Sequence, residues 1–251
     1  MSFPLRPTIA EIDLNALRYN YLQVKRLAGK TTKILAVVKA DAYGHGAQVI
    51  SQELEKLKVD FLGVALLEEA LGLRRAGIKT PIVVLGGIYP GQANEIVKHE
   101  LRPAIFDLTI ARELNQAALK RKSKVKVHVK IDTGMGRLGI LPEESHEFFN
   151  QLKKLTSLKI EGIISHLTVA SQENDDEVGF TRQQFECFHR VIDDCRKTGA
   201  NPPLLHLANS AAIIRGNLDQ FTLVRPGIML YGSQPAPTLA DAIRLKPMMS
   251  L

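Results

Sequence analysis

Cysteine is scarce: the 251-residue chain has two, Cys187 and Cys195, both within one stretch of helical periodicity. That usage fits neither a disulfide framework nor a cysteine metal site, so packed, reduced thiols are expected. Long apolar runs are lacking too, and nothing approaches the roughly 18 residues a membrane-crossing helix needs. The opening Met1-Ser2-Phe3-Pro4-Leu5-Arg6-Pro7 has no apolar core of the kind a secretory signal carries, and a cytoplasmic location is the expectation. Aromatic residues make up 6% of the chain, and none interrupts the densest basic run, Lys120-Arg121-Lys122-Ser123-Lys124. The net charge is +7. A basic run without stacking partners that leads straight into a strand nevertheless reads as a solvated loop, so neither nucleic acid nor a membrane is expected as a partner. The positive excess suits a small anionic ligand.

What the chain does have is the composition of a globule, 45% apolar and 24% charged, at a length common for single α/β barrels. Apolar, strand-like runs fall at 33–38, 61–65, 82–86, 102–106, 125–131, 160–165, 204–207 and 223–224. Segments with apolar residues at helical spacing lie between them, such as 46–57, 68–75, 93–99, 109–120, 143–155 and 180–197. Regular alternation implies a parallel sheet, and eight units close a (β/α)8 barrel of the TIM type. Asp13 is placed to cap a helix over 14–27. The alternating stretch Thr8 to Ile12 reads as a ninth strand with no place in such a barrel. After Gly232-Ser233-Gln234-Pro235-Ala236-Pro237 the pattern changes, which predicts a barrel over 13–235 and a separate segment over 236–251.

Barrel enzymes assemble their sites at the carboxyl ends of the strands. Lys39 ends the first run, immediately after Ile34-Leu35-Ala36-Val37-Val38, whose unbroken apolar character predicts burial on both faces. Lys130, Asp132 and Arg137 end or follow the fifth run, His166 the sixth, His206, Asn209 and Ser210 the seventh, and Arg225 and Gly227 the eighth. Each has a bland explanation alone, as a satisfied core histidine, a capping serine or a turn glycine. Their coincidence at one rim points to a site. Asn209-Ser210 opens a short helix over 211–214, and Arg225-Pro226-Gly227-Ile228 supplies a second bare turn, two features suited to a phosphate. A phosphate cradle facing a strand-end lysine suggests pyridoxal 5′-phosphate held as a Schiff base. Gly134-Met135-Gly136-Arg137-Leu138-Gly139 matches the dinucleotide-binding G-x-G-x-x-G pattern. Pro142 starts the next helix beyond it, however, and the following strand ends in Ser165-His166 rather than an acid, so that match is set aside.

AVVKADAYGHG (36–46), KIDTGMGRLG (130–139), SHL (165–167), HLANSAA (206–212) and VRPGIMLYG (224–232) together resemble the alanine racemases over nearly the whole chain. The resemblance implies a pyridoxal-phosphate enzyme that interconverts L- and D-alanine for peptidoglycan, working as a head-to-tail homodimer. It implies that Lys39 carries the cofactor and is the base on one face of the substrate Cα. By the same resemblance Tyr43, Ser210, Gly227 and Ile228 hold the phosphate, with Asn209 beside them. Arg225 faces the pyridine nitrogen, His206 and His166 complete a hydrogen-bonded network, and Arg137 contacts the phenolic oxygen. Lys130 matches a lysine that is carbamylated in many members.

In that family the second acid–base group is a tyrosine from a carboxy-terminal β-rich domain of the partner subunit. The tyrosines here are Tyr19, Tyr21, Tyr43, Tyr89 and Tyr231, none in such a domain. The resemblance therefore implies an amino-terminal portion of a racemase of low activity alone, with 1–12 pairing with the second domain and 236–251 opening it. Two other readings stand beside it. One is a single-domain pyridoxal-phosphate carrier without turnover, and the other is a decarboxylase-like barrel, which would place an acid rather than Arg225 at the ring nitrogen.

Overall fold

The computed structural model describes residues 9–171, 174–216 and 221–250. A short β1 (Glu11–Ile12) and α1 (Leu14–Ala28) precede β2 (Lys33–Val37), α2 (Lys39–Gly44) and α3 (Ala47–Lys56). Strand and helix then alternate through β3 (Phe61–Val64), α4 (Leu67–Arg75), β4 (Ile82–Val84), α5 (Ala93–Lys98), β5 (Arg102–Ile105) and α6 (Leu108–Lys120). The remainder comprises β6 (Val125–Lys130), α7 (Ser145–Lys153), β7 (Leu158–Ile164), α8 (Asp175–Lys197), β8 (Leu204–His206), α9 (Ser210–Arg215), β9 (Leu223–Val224) and β10 (Met249–Ser250).

Eight of these strands form one parallel sheet in the order β8-β7-β6-β5-β4-β3-β2-β9. The pairs Lys33 with Leu223 and Ile34 with Val224 join β2 to β9. Between β8 and β9, Thr222 N donates to Leu205 O at 3.2 Å and Arg225 N to Ala208 O at 3.0 Å, so the sheet curls into a nearly closed barrel. All eight strands predicted from the apolar runs are present, most of them one or two residues shorter at the carboxyl end. The residues Ile34 to Val38 are each no more than 7% exposed, as a strand with no wet face requires. Alternation sorts β2: Leu35 and Val37 pack inside the barrel with Phe61, Val83, Leu204 and Leu223, while Ile34 and Ala36 face the helical layer.

Asp13 caps α1 as its position predicts, with Oδ1 accepting from Asn15 N at 2.7 Å and Ala16 N at 3.2 Å. Leu17, Tyr21 and Val24 of that helix are buried against the barrel. The ninth strand is seen as β1, which pairs antiparallel with β10 outside the barrel; Thr8 lies outside the described residues. Helix α8 begins at Asp175, earlier than the apolar spacing alone indicates, because Asn174 caps it by accepting from Glu177 N. Cys187 and Cys195 are buried and free. Among the described residues no helix is long and apolar enough to cross a membrane.

Candidate active site at the carboxyl ends of the strands

The segment after Lys39 departs from the loop its composition suggests. Ala40, Asp41, Ala42 and Tyr43 all have left-handed helical backbones, with φ between 51° and 55°. For L-residues this costs roughly 1–2 kcal/mol each, so it persists only where surrounding contacts impose it. The contacts are specific. Glu69 of α4 accepts from Ala40 N at 2.6 Å through one oxygen and from Ala65 N and Leu66 N through the other, tying the end of β3 to the turn. Asp41 accepts from Ala47 N at 2.7 Å, and the Tyr43 ring packs on Tyr231 with centroids 5.1 Å apart. Tyr231 in turn donates to Val37 O at 2.9 Å. The turn thereby brings Tyr43 back over the barrel mouth beside Lys39.

A cavity of about 400 Å³ opens there. Lys39, Tyr43, Lys130, Arg137 and His166 line one part of it. Asn209, Ser210, Arg225, Gly227 and Ile228 line it as well. Of the residues singled out in the sequence, His206 and Asp132 do not line it, and His206 stands behind the wall, fully buried. On the α9 side, Gly227 N donates to Ser210 Oγ at 3.0 Å, which leaves the Ser210 proton free to donate elsewhere. A Cβ built on Gly227 would lie 2.8 Å from the Tyr43 hydroxyl and 3.9 Å from Ser210 Oγ, so these polar groups converge on a concavity that only glycine keeps open. Asn209 faces the same cavity, but its amide has protein partners: Oδ1 accepts from Ala212 N and Nδ2 donates to Leu167 O.

Arg225 is buried, and its guanidinium is held by carbonyls. It donates to His206 O, Ser165 O and Leu207 O, and its Nη2 lies 3.3 Å from His166 Nδ1. Burial lowers its pKa to about 9. The His206 ring points away from Arg225 toward His128, so the expected network of Arg225 with the two histidines runs through the His166 ring and the His206 main chain. Burial, then the positive fields of Arg225, Lys130 and Arg137, hold His166 down at about 3, which makes its Nδ1 an acceptor for Arg225. Lys130 falls to about 7, chiefly through burial and then through Arg225 and Arg137, so near neutral pH much of it is an uncharged amine. Asp132 forms no ion pair with these cations among the described residues, although its field partly offsets theirs at Lys130. Its oxygens accept from Gly134 N, Gly136 N and Arg137 N, and this bracing of the glycine-rich loop is the role that loop plays in place of nucleotide binding.

The sequence profile of the family described as alanine racemase, N-terminal domain, matches residues 12–235. The chain belongs to that family. It is 45% identical over 248 residues to the alanine racemase of Geobacter sp. (strain M21), covering 98% of this chain and 65% of the relative. With the alanine racemase of Geobacter sulfurreducens the identity is 47% over 246 residues, covering 98% and 64%. The solved alanine racemase of Clostridium difficile 630 in complex with cycloserine superposes with a TM-score of 0.93 at 36% identity, covering 98% of this chain and 68% of that one. The chain thus spans about 65% of the length of the curated alanine racemase relatives it matches.

Several contributors to this barrel were not singled out from the sequence. Gln184 of α8 donates to His166 O and to Thr133 Oγ1, and Thr133 shares a 2.8 Å hydrogen bond with Ser165, locking the loop after β7 to that after β6. Glu69 carries no motif, although its place in the first turn of a helix after a strand is where a carboxylate meets free backbone N–H groups. His128 and Glu161 sit inside predicted strands, where a polar residue among apolar ones was the available signal.

Proposed function

We propose that the chain is the cofactor-binding barrel of an alanine racemase, a pyridoxal-phosphate isomerase that interconverts L- and D-alanine. The observation that carries this reading is a single cavity that joins Lys39, the Tyr43, Ser210 and Gly227 concavity, and a buried Arg225. The residues fit the cofactor. Lys39, Lys130, Arg137 and Arg225 form no ion pair with a carboxylate among the described residues, so this mouth favours a ligand rich in negative charge. Pyridoxal phosphate, when bound, supplies an aldehyde for the substrate amine and a ring that acidifies the substrate Cα.

The chain's own residues do the rest. The Tyr43 and Ser210 hydroxyls and the backbone at Gly227 and Ile228 hold the phosphate, with Asn209 fixing the helix start behind them. Arg225 would donate an N–H to the ring nitrogen. A guanidinium keeps its proton, so the nitrogen receives a hydrogen bond without gaining a full positive charge, which limits side reactions. His166 restrains the Arg225 fork, and Arg137 would face the phenolic oxygen, with Lys130, once carbamylated as the resemblance implies, orienting it. Lys39 Nζ would be the attachment point, and as a free amine it would hold the Cα proton on its face. Inversion needs a proton returned to the other face. We assign that step to a group outside this chain, supplied by the partner subunit of a homodimer in the cytoplasm, where D-alanine serves peptidoglycan synthesis.

The test is borohydride reduction of the protein reconstituted with pyridoxal phosphate, followed by peptide mapping, with alanine Cα–H exchange measured in deuterated water. Cofactor fixed on Lys39 and exchange that outpaces inversion are expected. A label on another lysine, or inversion as fast as in a full-length relative, would defeat the assignment.

A further inference from the structure

Behind the cavity wall, β6 and β7 carry a polar chain that the reading above does not use. His128 Nδ1 lies 2.8 Å from His206 Nε2, and the two rings meet edge to face at 89°. His128 Nε2 lies 3.3 Å from Glu161 Oε2. Both histidines are fully buried. Glu161 also accepts from Arg102 Nε at 2.6 Å and pairs with Lys126 Nζ at 3.2 Å.

The backbone is shaped for this chain. The β6–β7 register shifts so that Val127 pairs with Ile160 and His128 with Gly162, leaving Glu161 as a bulged residue. A bulge re-aims a side chain that regular pairing would send elsewhere. At Gly162 any Cβ would stand 2.7 Å from His128 Nδ1 and 2.9 Å from Leu204 O, so the glycine makes room for the imidazole to reach His206.

The protons follow from the acceptors. A carboxylate only accepts, so His128 Nε2 must carry the hydrogen that faces Glu161. The charge of Glu161 is already matched by Arg102 and Lys126, which leaves none to balance a buried imidazolium. Burial lowers the His128 pKa, in agreement. A neutral His128 with its proton on Nε2 has a bare Nδ1, and His206 Nε2–H must donate to it. His206 Nδ1 is then a bare acceptor too, and it has no hydrogen-bond partner among the described residues.

We propose that Glu161 and His128 are positioning residues of the site: the carboxylate fixes the proton of His128 on Nε2, and His128 fixes that of His206 on Nε2. This rests on the reading of the cavity as a pyridoxal-phosphate site, where a second movable proton beside Arg225 would undo the benefit of a guanidinium. The relay keeps His206, whose carbonyl clamps Arg225, without charge and without a proton on Nδ1.

The experiment is long-range ¹H–¹⁵N correlation on the ligand-free, histidine-labelled chain near neutral pH, with His128 and His206 assigned by single substitution. Both rings should be neutral Nε2–H tautomers. An imidazolium, or Nδ1–H on either ring, overturns the proposal. Glu161→Gln, whose amide oxygen can still accept, should keep the pattern. Glu161→Leu leaves Arg102 facing His128 Nε2 and should move both protons to Nδ1; unchanged tautomers in that folded variant would overturn the role of Glu161. His128→Leu spares the ion pairs and reads the second link: His206 should lose its single tautomer, and a retained clean Nε2–H would remove His128 from the relay. No cofactor is present in these measurements, so their failure leaves the racemase reading standing, and failure of that reading leaves the expected tautomers unchanged.

Discussion

The barrel mouth and the lower barrel around Glu161 both gather positive charge, and they treat it in opposite ways. Around Glu161, the charges of Arg102 and Lys126 meet one carboxylate, which also accepts from the neutral His128. At the mouth, Lys39, Lys130, Arg137 and Arg225 share a cavity while the nearby carboxylates of Asp41, Glu69 and Asp132 accept from backbone N–H groups. A compensated cluster is part of the fold. An uncompensated one is a binding surface held in readiness, whose repulsion a ligand relieves.

The sharpest way to break this contrast is to delete the compensating charge. Glu161→Leu should destabilise the chain by about 3 kcal/mol in urea unfolding, since removing one partner strands buried charge. The reverse substitution at the mouth should have the opposite sign. Lys130→Met replaces a buried amine that has no carboxylate partner by an apolar side chain of similar length and should stabilise the ligand-free chain by about 1–2 kcal/mol in thermal unfolding, while weakening its hold on pyridoxal phosphate.

A pH series sharpens the comparison further. His166 is held at about 3 by burial and by its cationic neighbours, against an ordinary value of 6.5. Both folded and unfolded chains carry it neutral above 6.5; as the pH falls toward 3 the unfolded chain takes up the proton first, so stability is lost through that window. In His166→Leu the slope of stability against pH should flatten there. The smallest effect concerns backbone. Ala40 is exposed and sits at φ 51°, so Ala40→Gly should stabilise by at most ~1 kcal/mol, the relief of left-handed strain less the entropy glycine loses on folding. A destabilised Ala40→Gly chain would show that the turn is not strained.

Sequence reading recovers the barrel because its evidence is local and repeated. The run Ile34 to Val38 has no polar position to offer water, and seven further runs with helical periods between them leave few architectures open. The mouth is legible because lysine, arginine, histidine and serine recur at strand ends. The left-handed turn is not legible, since Ala40 to Gly46 reads as a polar, glycine-punctuated loop and its conformation is imposed by Glu69 from another element. The chain behind the wall is hidden for a similar reason. Glu161 looks like a surface residue of a half-wet strand until a one-residue register shift, set by pairing with β6, aims it at His128.

The seam between β2 and β9 also governs when the site can exist. Lys39 follows the first strand of the barrel and Arg225 follows the last, and they become neighbours only once Lys33 and Ile34 have paired with Leu223 and Val224. Such a contact between distant parts of the chain carries the largest loop-closure cost within the barrel and belongs among the slow steps of folding. During synthesis, a growing chain that has not yet released β9 from the ribosome has a lysine but no cavity around it. On the proposed function, cofactor capture would report barrel closure, and excess pyridoxal phosphate should pull refolding forward by trapping the closed form.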